Sequence, residues 1–338
     1  MPARGASGFS EPRHPIPTAP IDRSTMSATP AAPPLSARAA LRQRRPGRQT
    51  RRRRRAAYLF VAPFMLLFVA MLVVPLLYAL YLSLFVDRLI GGTSFVGLQN
   101  YADVLSDELF ISGVLRMGAF LLVQVPVMLG LALLFALALD SPRLRWAGLF
   151  RLGIFLPYAV PSVVAALMWG YLYGPDFGPI AQTVRGLGGS APQLLGPDWM
   201  LAAIGNVVTW EFVGYNMIIM YAALRSVPTD LYEAAAVDGA GAIRTAWSIK
   251  LPAIRPAILL TVVFSVIGSF QLFNEPLVMR ALAPAVVTTS YTPNLYAYYL
   301  AFTNQQINYA AAVSFMLGFV ILVLSFSVLA VTRRGRGR

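Results

Sequence analysis

Six apolar stretches, each longer than 20 residues, constrain this chain more than any other feature of its sequence. A helix rises about 1.5 Å per residue, so about 20 apolar residues cross the roughly 30 Å hydrocarbon core of a bilayer. Only 12% of the residues are charged, whereas a soluble domain has about 25%. The sequence therefore predicts an all-α membrane protein with six transmembrane helices, at 59–85, 114–139, 150–171, 202–224, 257–278 and 309–331.

The basic residues indicate the orientation of these helices. If the N-terminus lies inside, 24 of the 28 lysines and arginines fall on the inner side, as the positive-inside rule requires. Both termini are therefore predicted to be cytoplasmic. Residues 1–57 hold nine prolines, thirteen arginines and few large apolar residues, so they are predicted to form a disordered basic tail. Residues 333–338 are predicted to form a second basic cytoplasmic tail.

A run of five arginines, 51–55, stands directly before the first predicted span. This position favours contact with anionic lipid headgroups, and nucleic-acid binding is the less favoured alternative. Because nothing before Met26 has a pattern typical of structure, Met26 is an alternative to Met1 as the start of translation.

The chain lacks the residues that most catalytic and metal sites require. It has no cysteine, and its one histidine, His14, lies in the basic tail, which argues against thiolate, histidine-dependent and metal chemistry. Its one lysine, Lys250, is followed by Leu251, so the sequence contains no P-loop. We expect no catalytic residue, no bound metal and no cofactor, and an energy source outside this chain.

The predicted inner connection 225–256 is long enough to have structure of its own. Residues 228–239 begin with Pro-Thr-Asp and reach Gly239, a pattern typical of a short capped helix. A second helix over 240–249 is predicted to end before Leu251-Pro252, since the residue ahead of a proline is disfavoured in a helix. The alanine-lined first helix suits docking to a protein partner; the open alternative is an amphipathic helix lying flat on the membrane.

The segment EAAAVDGA at 233–240, followed by Leu251-Pro252, resembles the E-A-A…G…I-x-L-P loop in the membrane subunits of binding-protein-dependent ABC importers. The string FVGLQNY at 95–101 and the residues YAAA at 309–312 are similar to segments of the sugar-permease branch of that family, the maltose and glycerol-phosphate type. The resemblance extends from about Tyr58 to the C-terminus, which indicates one permease domain over 58–332.

This resemblance implies a permease subunit of a bacterial plasma-membrane importer, itself not an enzyme. It implies separate ATPase subunits that use ATP and Mg²⁺, a second six-span permease, an extracytoplasmic solute-binding protein, and a carbohydrate as the solute, a di- or oligosaccharide. The residues that it assigns to the ATPase-coupling loop are Glu233, Ala234, Ala235, Asp238, Gly239, Ala240, Leu251 and Pro252.

Polar residues inside the predicted fourth and fifth spans are candidates for the solute path. Ionisable groups in a span are costly and usually face a cavity or a partner, and carboxylates and amides can bond sugar hydroxyls. An equally ordinary role for amides in a span is to join helices. The candidates are Glu211, Asn216, Gln271, Asn274 and Glu275.

Two other classes of function compete with the importer. A proton-coupled secondary transporter would use Glu211 and Glu275 as proton carriers and would need no ATPase. A membrane-embedded transferase or hydrolase would need a nucleophile–base pair or paired carboxylates at one membrane face, and the sequence offers no such set. The motifs favour the importer.

Overall fold

The computed structural model describes residues 48–88, 90–141 and 144–334. The chain divides into two compact units, Met1–Leu67 and Phe68–Arg338. In the first unit the described residues are helical, so the prediction of disorder is wrong for residues 48–57, where arginines, which are good helix formers, extend the first apolar helix. The predictions for residues 1–47 and for 335–338 lie outside the described residues.

The described residues are mostly helical, and one two-stranded sheet departs from the predicted all-α fold. The sheet is antiparallel, with Phe85 opposite Phe95. The positive φ angles of Gly91 and Gly92, 105° and 68°, permit its tight turn. In chain order the elements are α1 (Arg48–Phe68), a π turn (Val69–Val73), α2 (Val74–Ser83), β1 (Phe85–Arg88), β2 (Gly92–Phe95), α3 (Gln99–Ser106), α4 (Glu108–Leu139), α5 (Ala147–Phe155), a 3₁₀ turn (Leu156–Ala159), α6 (Ser162–Leu172), α7 (Pro179–Gly186), α8 (Met200–Arg225), α9 (Asp230–Val237), α10 (Ala242–Thr245), a π turn (Ala246–Lys250), α11 (Leu251–Phe270), α12 (Asn274–Leu282), α13 (Pro293–Phe302) and α14 (Ile307–Arg334).

Five helical stretches of the described residues are long and apolar enough to cross a membrane, and a bent pair of helices brings the number to six if it counts as one span. The pair, Ala147–Ala159 and Ser162–Leu172, bends by 97°. The five stretches are Ala56–Ser83, Glu108–Leu139, Met200–Arg225, Ala242–Phe270 and Ile307–Ala330.

The bend divides the predicted span 150–171 into two helices. Val160 is extended, with φ −80° and ψ 129°, because the ring of Pro161 disfavours a helical residue before it. The carbonyl groups that the bend frees are tolerated in a membrane when neighbouring helices pack against them.

The predicted span 257–278 is also wrong at its end. Helix α11 stops at Phe270 and α12 starts at Asn274. The Thr292 hydroxyl donates to the carbonyl of Leu272 at 3.1 Å, and the Asn294 amide donates to the carbonyl of Gln271 at 3.1 Å. These bonds satisfy backbone groups that the interrupted helix leaves free, so the break is not costly.

The second short helix does not end before Leu251-Pro252, as the sequence predicted. Leu251 is helical, with φ −61° and ψ −45°, and Ala242–Phe270 forms one continuous helical stretch. The π turn Ala246–Lys250 shifts the hydrogen-bond pattern by one residue just before Pro252. A proline can follow such a turn because its missing N–H is not needed where the pattern is already interrupted.

The packing of α4 along α8 forms the centre of the second unit, with a buried core towards each end. One core contains Met117, Ile204 and Met279, and the other contains Met128, Met217 and Ile254. Between the cores, polar residues of α8 face α11 and α12, and a cavity results.

Candidate functional site

A cavity of about 400 Å³ lies among α4, α8, α11, α12 and the bend before α6. Its volume is in the range of small-molecule sites, roughly 300–1,000 Å³. All five residues that the sequence suggested for the solute path line it: Glu211, Asn216, Gln271, Asn274 and Glu275. The break between α11 and α12 brings the last three to the wall beside the first two.

The two acids of the cavity are buried. Glu211 is 4% exposed and Glu275 is 5% exposed. Among the described residues, Oε2 of Glu211 has no hydrogen-bond partner, whereas Glu275 lies in the first turn of α12, where the positive end of the helix favours an acid. A buried carboxyl oxygen without a partner is costly, and it is available to a hydroxyl group that enters the cavity.

The amides of the cavity are oriented in two different ways. Asn216 donates to the carbonyl of Phe212 on its own helix at 3.0 Å. Asn274 donates to the hydroxyl of Ser162 at 2.7 Å, and so joins the first turn of α12 to the first turn of α6. Gln271 is exposed. Two amides of the cavity, Asn216 and Asn274, are thus held in place by hydrogen bonds within the protein.

Sequence reasoning assigned no role to Gln124, Tyr158 and Ser162, which also line the cavity. The rings of Tyr158 and Tyr215 stack with centroids 4.9 Å apart, and both line the cavity with Gln124 and Ser162. Gln124 is a lone amide in a long apolar helix, and the intramembrane-polarity rule used for the other candidates would have found it. Tyr158 and Ser162 lie at the bend, which no local pattern placed at the wall.

The structure places the predicted coupling residues on a short exposed helix and its end. Helix α9 is followed by Gly239 in the left-handed conformation, φ 73°, and the N–H of Ala240 donates to the carbonyl of Ala235 at 2.8 Å, as in a capped helix end. Ala235 is buried, whereas Val237 is 89% exposed. Glu233, Ala234, Asp238 and Gly239 are exposed, Ala240 is half-buried, and Leu251 and Pro252 lie within the continuous helix.

Three side chains join this segment to α4. Nζ of Lys250 lies 2.5 Å from Oδ2 of Asp140, which caps the C-terminus of α4. The same ammonium lies 5.1 Å from the ring centroid of Tyr232 on α9. Burial, and then the charge of Asp140, raises the pKa of Tyr232.

At the opposite end of α4, Asp107 joins three helices. Its carboxylate accepts hydrogen bonds from the hydroxyls of Tyr296 at 2.7 Å and Tyr309 at 2.8 Å, and it caps α4 by accepting from the N–H of Leu109 at 2.9 Å. Burial alone would raise the pKa of Asp107, but these hydrogen bonds outweigh burial and lower it.

The sequence of this chain matches a known family of membrane transport proteins. The family described as the binding-protein-dependent transport system inner membrane component matches residues 128–334. The chain is 33% identical to the lactose transport system permease protein LacF of Rhizobium radiobacter, over 80% of this chain and 91% of that protein. It is 31% identical to the sn-glycerol-3-phosphate transport system permease protein UgpA of Agrobacterium fabrum, over 79% and 91%.

A solved structure shares the fold. It is a bacterial ABC transporter involved in the import of the acidic polysaccharide alginate, which the chain matches with a TM-score of 0.72 at 20% identity, over 85% of this chain and 98% of that one. A second structure of the alginate transporter, in complex with an alginate pentasaccharide-bound periplasmic protein, also matches with a TM-score of 0.72.

Proposed function

The chain belongs to the family of binding-protein-dependent transport system inner membrane components, and from this premise we propose that it forms half of the translocation path for a di- or oligosaccharide. It is a permease subunit of an ABC importer and not an enzyme. The observation that carries the proposal is the cavity of about 400 Å³ whose wall contains all five of the predicted polar residues.

The chemistry of the cavity suits a sugar. Carboxylate and amide groups of Glu211, Glu275 and Asn274 can bond hydroxyls, and the stacked Tyr158 and Tyr215 provide aromatic surface for the apolar side of a sugar ring. Several relatives are named for saccharides: lactose, arabinooligosaccharides, diacetylchitobiose, and trehalose or maltose. A carbohydrate explains both the polar and the aromatic wall better than a proton alone would.

We propose six spans with both termini cytoplasmic, the bent pair at Ala147–Leu172 forming the third. The count of five straight candidates and one bent pair supports this topology, as does the concentration of basic residues on the predicted inner side. Helix α9 then lies on the cytoplasmic side, where its exposed residues dock into a separate ATPase subunit that binds and hydrolyses ATP with Mg²⁺. A second permease completes the path, and an extracytoplasmic solute-binding protein delivers the sugar.

The first test of the cavity is to replace the polar groups of α12. We expect Asn274→Ala and Glu275→Ala each to weaken uptake affinity for radiolabelled lactose or maltose about tenfold, because each removes a group whose hydrogen bond to the solute is worth roughly 1.4 kcal/mol or more. The measurement is uptake by cells that contain the whole importer. Asn206→Ala is the control, since Asn206 is an exposed amide of α8 that does not line the cavity.

Unchanged affinity and rate in both variants would contradict the solute path. The same cells distinguish the competing transporter: uptake that stops on addition of an uncoupler, while cellular ATP is held constant, would contradict the ATP-driven importer.

The open space beside Gly268 gives an independent prediction. Gly268 lines the cavity, and a Cβ atom added there meets no atom within 4 Å, so Gly268→Leu can add bulk at the cavity without a clash at its first side-chain atom. We expect normal insertion and at least a tenfold loss of uptake rate. Gly130→Leu is the matched control, because Gly130 is equally unobstructed but lies on α4 outside the cavity. Equal uptake by the two variants would show that solute does not pass beside Gly268.

A further inference from the structure

The coupling segment, residues 230–250, contacts the end of α4 through the ammonium group of Lys250. Lys250 lies between two partners: Asp140 at the end of α4 and the ring of Tyr232 on α9. The side chain of Asp140 is 6% exposed and that of Lys250 is 17% exposed. Because both are largely removed from water, salt and solvent screen their attraction less than that of a surface pair.

The residue type at this site is distinctive within the chain. Lys250 is the only lysine among 28 basic residues, and its pair with Asp140 is the one side-chain ion pair in the part of the chain that the structure describes. An ammonium is a compact point charge, whereas a guanidinium is a wide planar fork. The compact group can contact a carboxylate and the face of an aromatic ring together.

The contact with Tyr232 is through its ring. Within the described residues, the hydroxyl of Tyr232 is buried and has no hydrogen-bond partner. The cation–π contact with Lys250 is therefore the polar link that attaches the inward face of α9, while Glu233, Ala234 and Asp238 remain exposed.

Helix α4 continues from this contact to the cavity. Gln124 and Met128 of α4 line the cavity, and Asp140 caps the same helix. The 16 residues from Gln124 to Asp140 span about 24 Å of helix. Along this length, Met128, Ala132 and Ala136 are buried in the core that contains Met217 and Ile254, so α4 forms a packed rod between the two sites.

We propose that Asp140, Tyr232 and Lys250 form a latch that makes α9 and α4 move as one body, so that displacement of the coupling segment changes the wall of the solute cavity. The three are positioning residues, since none contacts solute or nucleotide. The proposal rests on the proposed function, because α9 must be displaced by an ATPase.

The experiment measures the distance between α9 and α4 in the assembled importer. The chain has no cysteine, so Asp230→Cys on α9 and Leu134→Cys on α4, both exposed, carry the only spin labels on this chain. The complex is purified from its native membrane through a tag on this chain. Pulsed electron resonance then gives the label distance without nucleotide and after trapping with ATP and vanadate.

We expect the distance in the otherwise unchanged chain to differ by less than about 2 Å between the two states, the scale of ordinary helix adjustments. In Lys250→Met and in Asp140→Asn we expect it to change by more than about 5 Å, one helical turn, because α9 moves without α4. Asp140→Glu, which keeps the carboxylate and leaves the contact between Lys250 and Tyr232 in place, should keep the small change. Arg255→Met, which removes an exposed charge from the same helical stretch, is the control.

A second readout separates coupling from stability. In proteoliposomes supplied with binding protein and lactose, Lys250→Met should hydrolyse several-fold more ATP per lactose transported, whereas Asp140→Glu should keep the ratio of the unchanged chain. If Lys250→Met does not accumulate, Tyr232→Leu, which removes only the ring contact, takes its place with the same expected distances.

A label distance that changes equally in the unchanged chain and in the latch variants would overturn the latch while leaving the importer intact. Failure of the proposed function is recognised earlier and separately: no ATPase would co-purify with the unchanged chain, and the latch would fall with it. A small distance change in Asp140→Glu beside a large one in Asp140→Asn would show that the charge of the carboxylate holds the latch.

Discussion

Asp107 joins α4, α13 and α14 through one carboxylate, at the end of α4 opposite to Asp140. It accepts hydrogen bonds from the hydroxyls of two tyrosines and from two N–H groups in the first turn of α4. The same bonds that hold the helices together lower its pKa below the ordinary value of 3.8. The carboxylate is therefore ionised throughout the physiological pH range, and its contribution to stability depends on that charge.

The sign of the pH dependence follows from this shift. A group whose folded pKa is lowered stabilises the folded state above the unfolded pKa, and this stability is lost as pH falls through the folded pKa. We expect the Asp107→Asn chain to unfold at a temperature a few degrees lower than the unchanged chain at pH 7. This corresponds to a loss of about 1 kcal/mol in the free energy of unfolding. The difference in unfolding temperature between the two chains should narrow as pH falls below about 3.8.

Thermal unfolding of the detergent-purified chain at several pH values is the measurement. Asp103→Asn is the control, because Asp103 is an exposed acid on α3 whose carboxylate accepts a hydrogen bond from Gln99 in the same helix. If the unfolding temperature of Asp107→Asn differed from that of the unchanged chain by the same amount from pH 7 to pH 3, the role of the ionised carboxylate would be contradicted.

Single residues were predictable from the sequence where an apolar background makes them conspicuous. Glu211, Asn216 and Glu275 stand out because polar groups are costly inside spans, and the structure brings them to one cavity. Asp140 and Lys250 were not predictable as a pair, because 110 residues separate them and each lies in a polar connection where a charge is ordinary.

At the scale of elements, apolar length predicts where a helix exists but does not determine where it ends. The fifth predicted span ends early because Thr292 and Asn294, about 20 residues further along the chain, bond the carbonyls of Leu272 and Gln271. Hydropathy contains no information about these partners. The straight passage through Leu251-Pro252 has a similar cause, since the π turn before it is not visible in composition.

The bend of the third predicted span depends on how closely α8 approaches it. A methyl group at Gly214 would overlap the carbonyl group of Ile154 and lie 2.7 Å from Cα of Phe155. Both obstructing groups are backbone and cannot rotate away. We expect Gly214→Ala to destabilise the chain by about 1–3 kcal/mol through overpacking, measured as a lower unfolding temperature in detergent.

Gly268→Ala is the matched control, since Gly268 lies in the neighbouring helix α11 with no atom within 4 Å of an added methyl group. If Gly214→Ala unfolded at the temperature of Gly268→Ala, the close approach of α8 to the bend would not be a constraint on the fold.

At the scale of the whole molecule, the cavity and the contact with Lys250 lie at two levels of helix α4. Helix α4 lines the cavity at Gln124 and reaches the coupling segment at Asp140. If α9 docks into a separate ATPase, as proposed, its displacement would reach α4 through Lys250 and Asp140, and α4 lines the cavity.

Docking of the ATPase is tested at Gly239, which is exposed beside Val237 and meets no other atom where a side chain would be added. The first side-chain atom of an arginine there meets no atom of this chain within 4 Å, so the added bulk is available to obstruct the proposed partner. Its backbone cost at φ 73°, about 1–2 kcal/mol, is shared by Gly188→Arg, where φ is 82° and the space is equally open.

Since Gly188 follows α7, on the side that the proposed topology places outside, the two variants match in strain and charge and differ only in the face that they alter. We expect the tagged Gly239→Arg chain to reach the membrane and retain the second permease but to lose at least nine-tenths of the ATPase on purification, while Gly188→Arg retains all three. Quantitative mass spectrometry of the purified complexes measures this. Equal recovery of ATPase by both variants would show that α9 is a surface helix on the membrane, and the site of coupling would have to be sought on another inner segment.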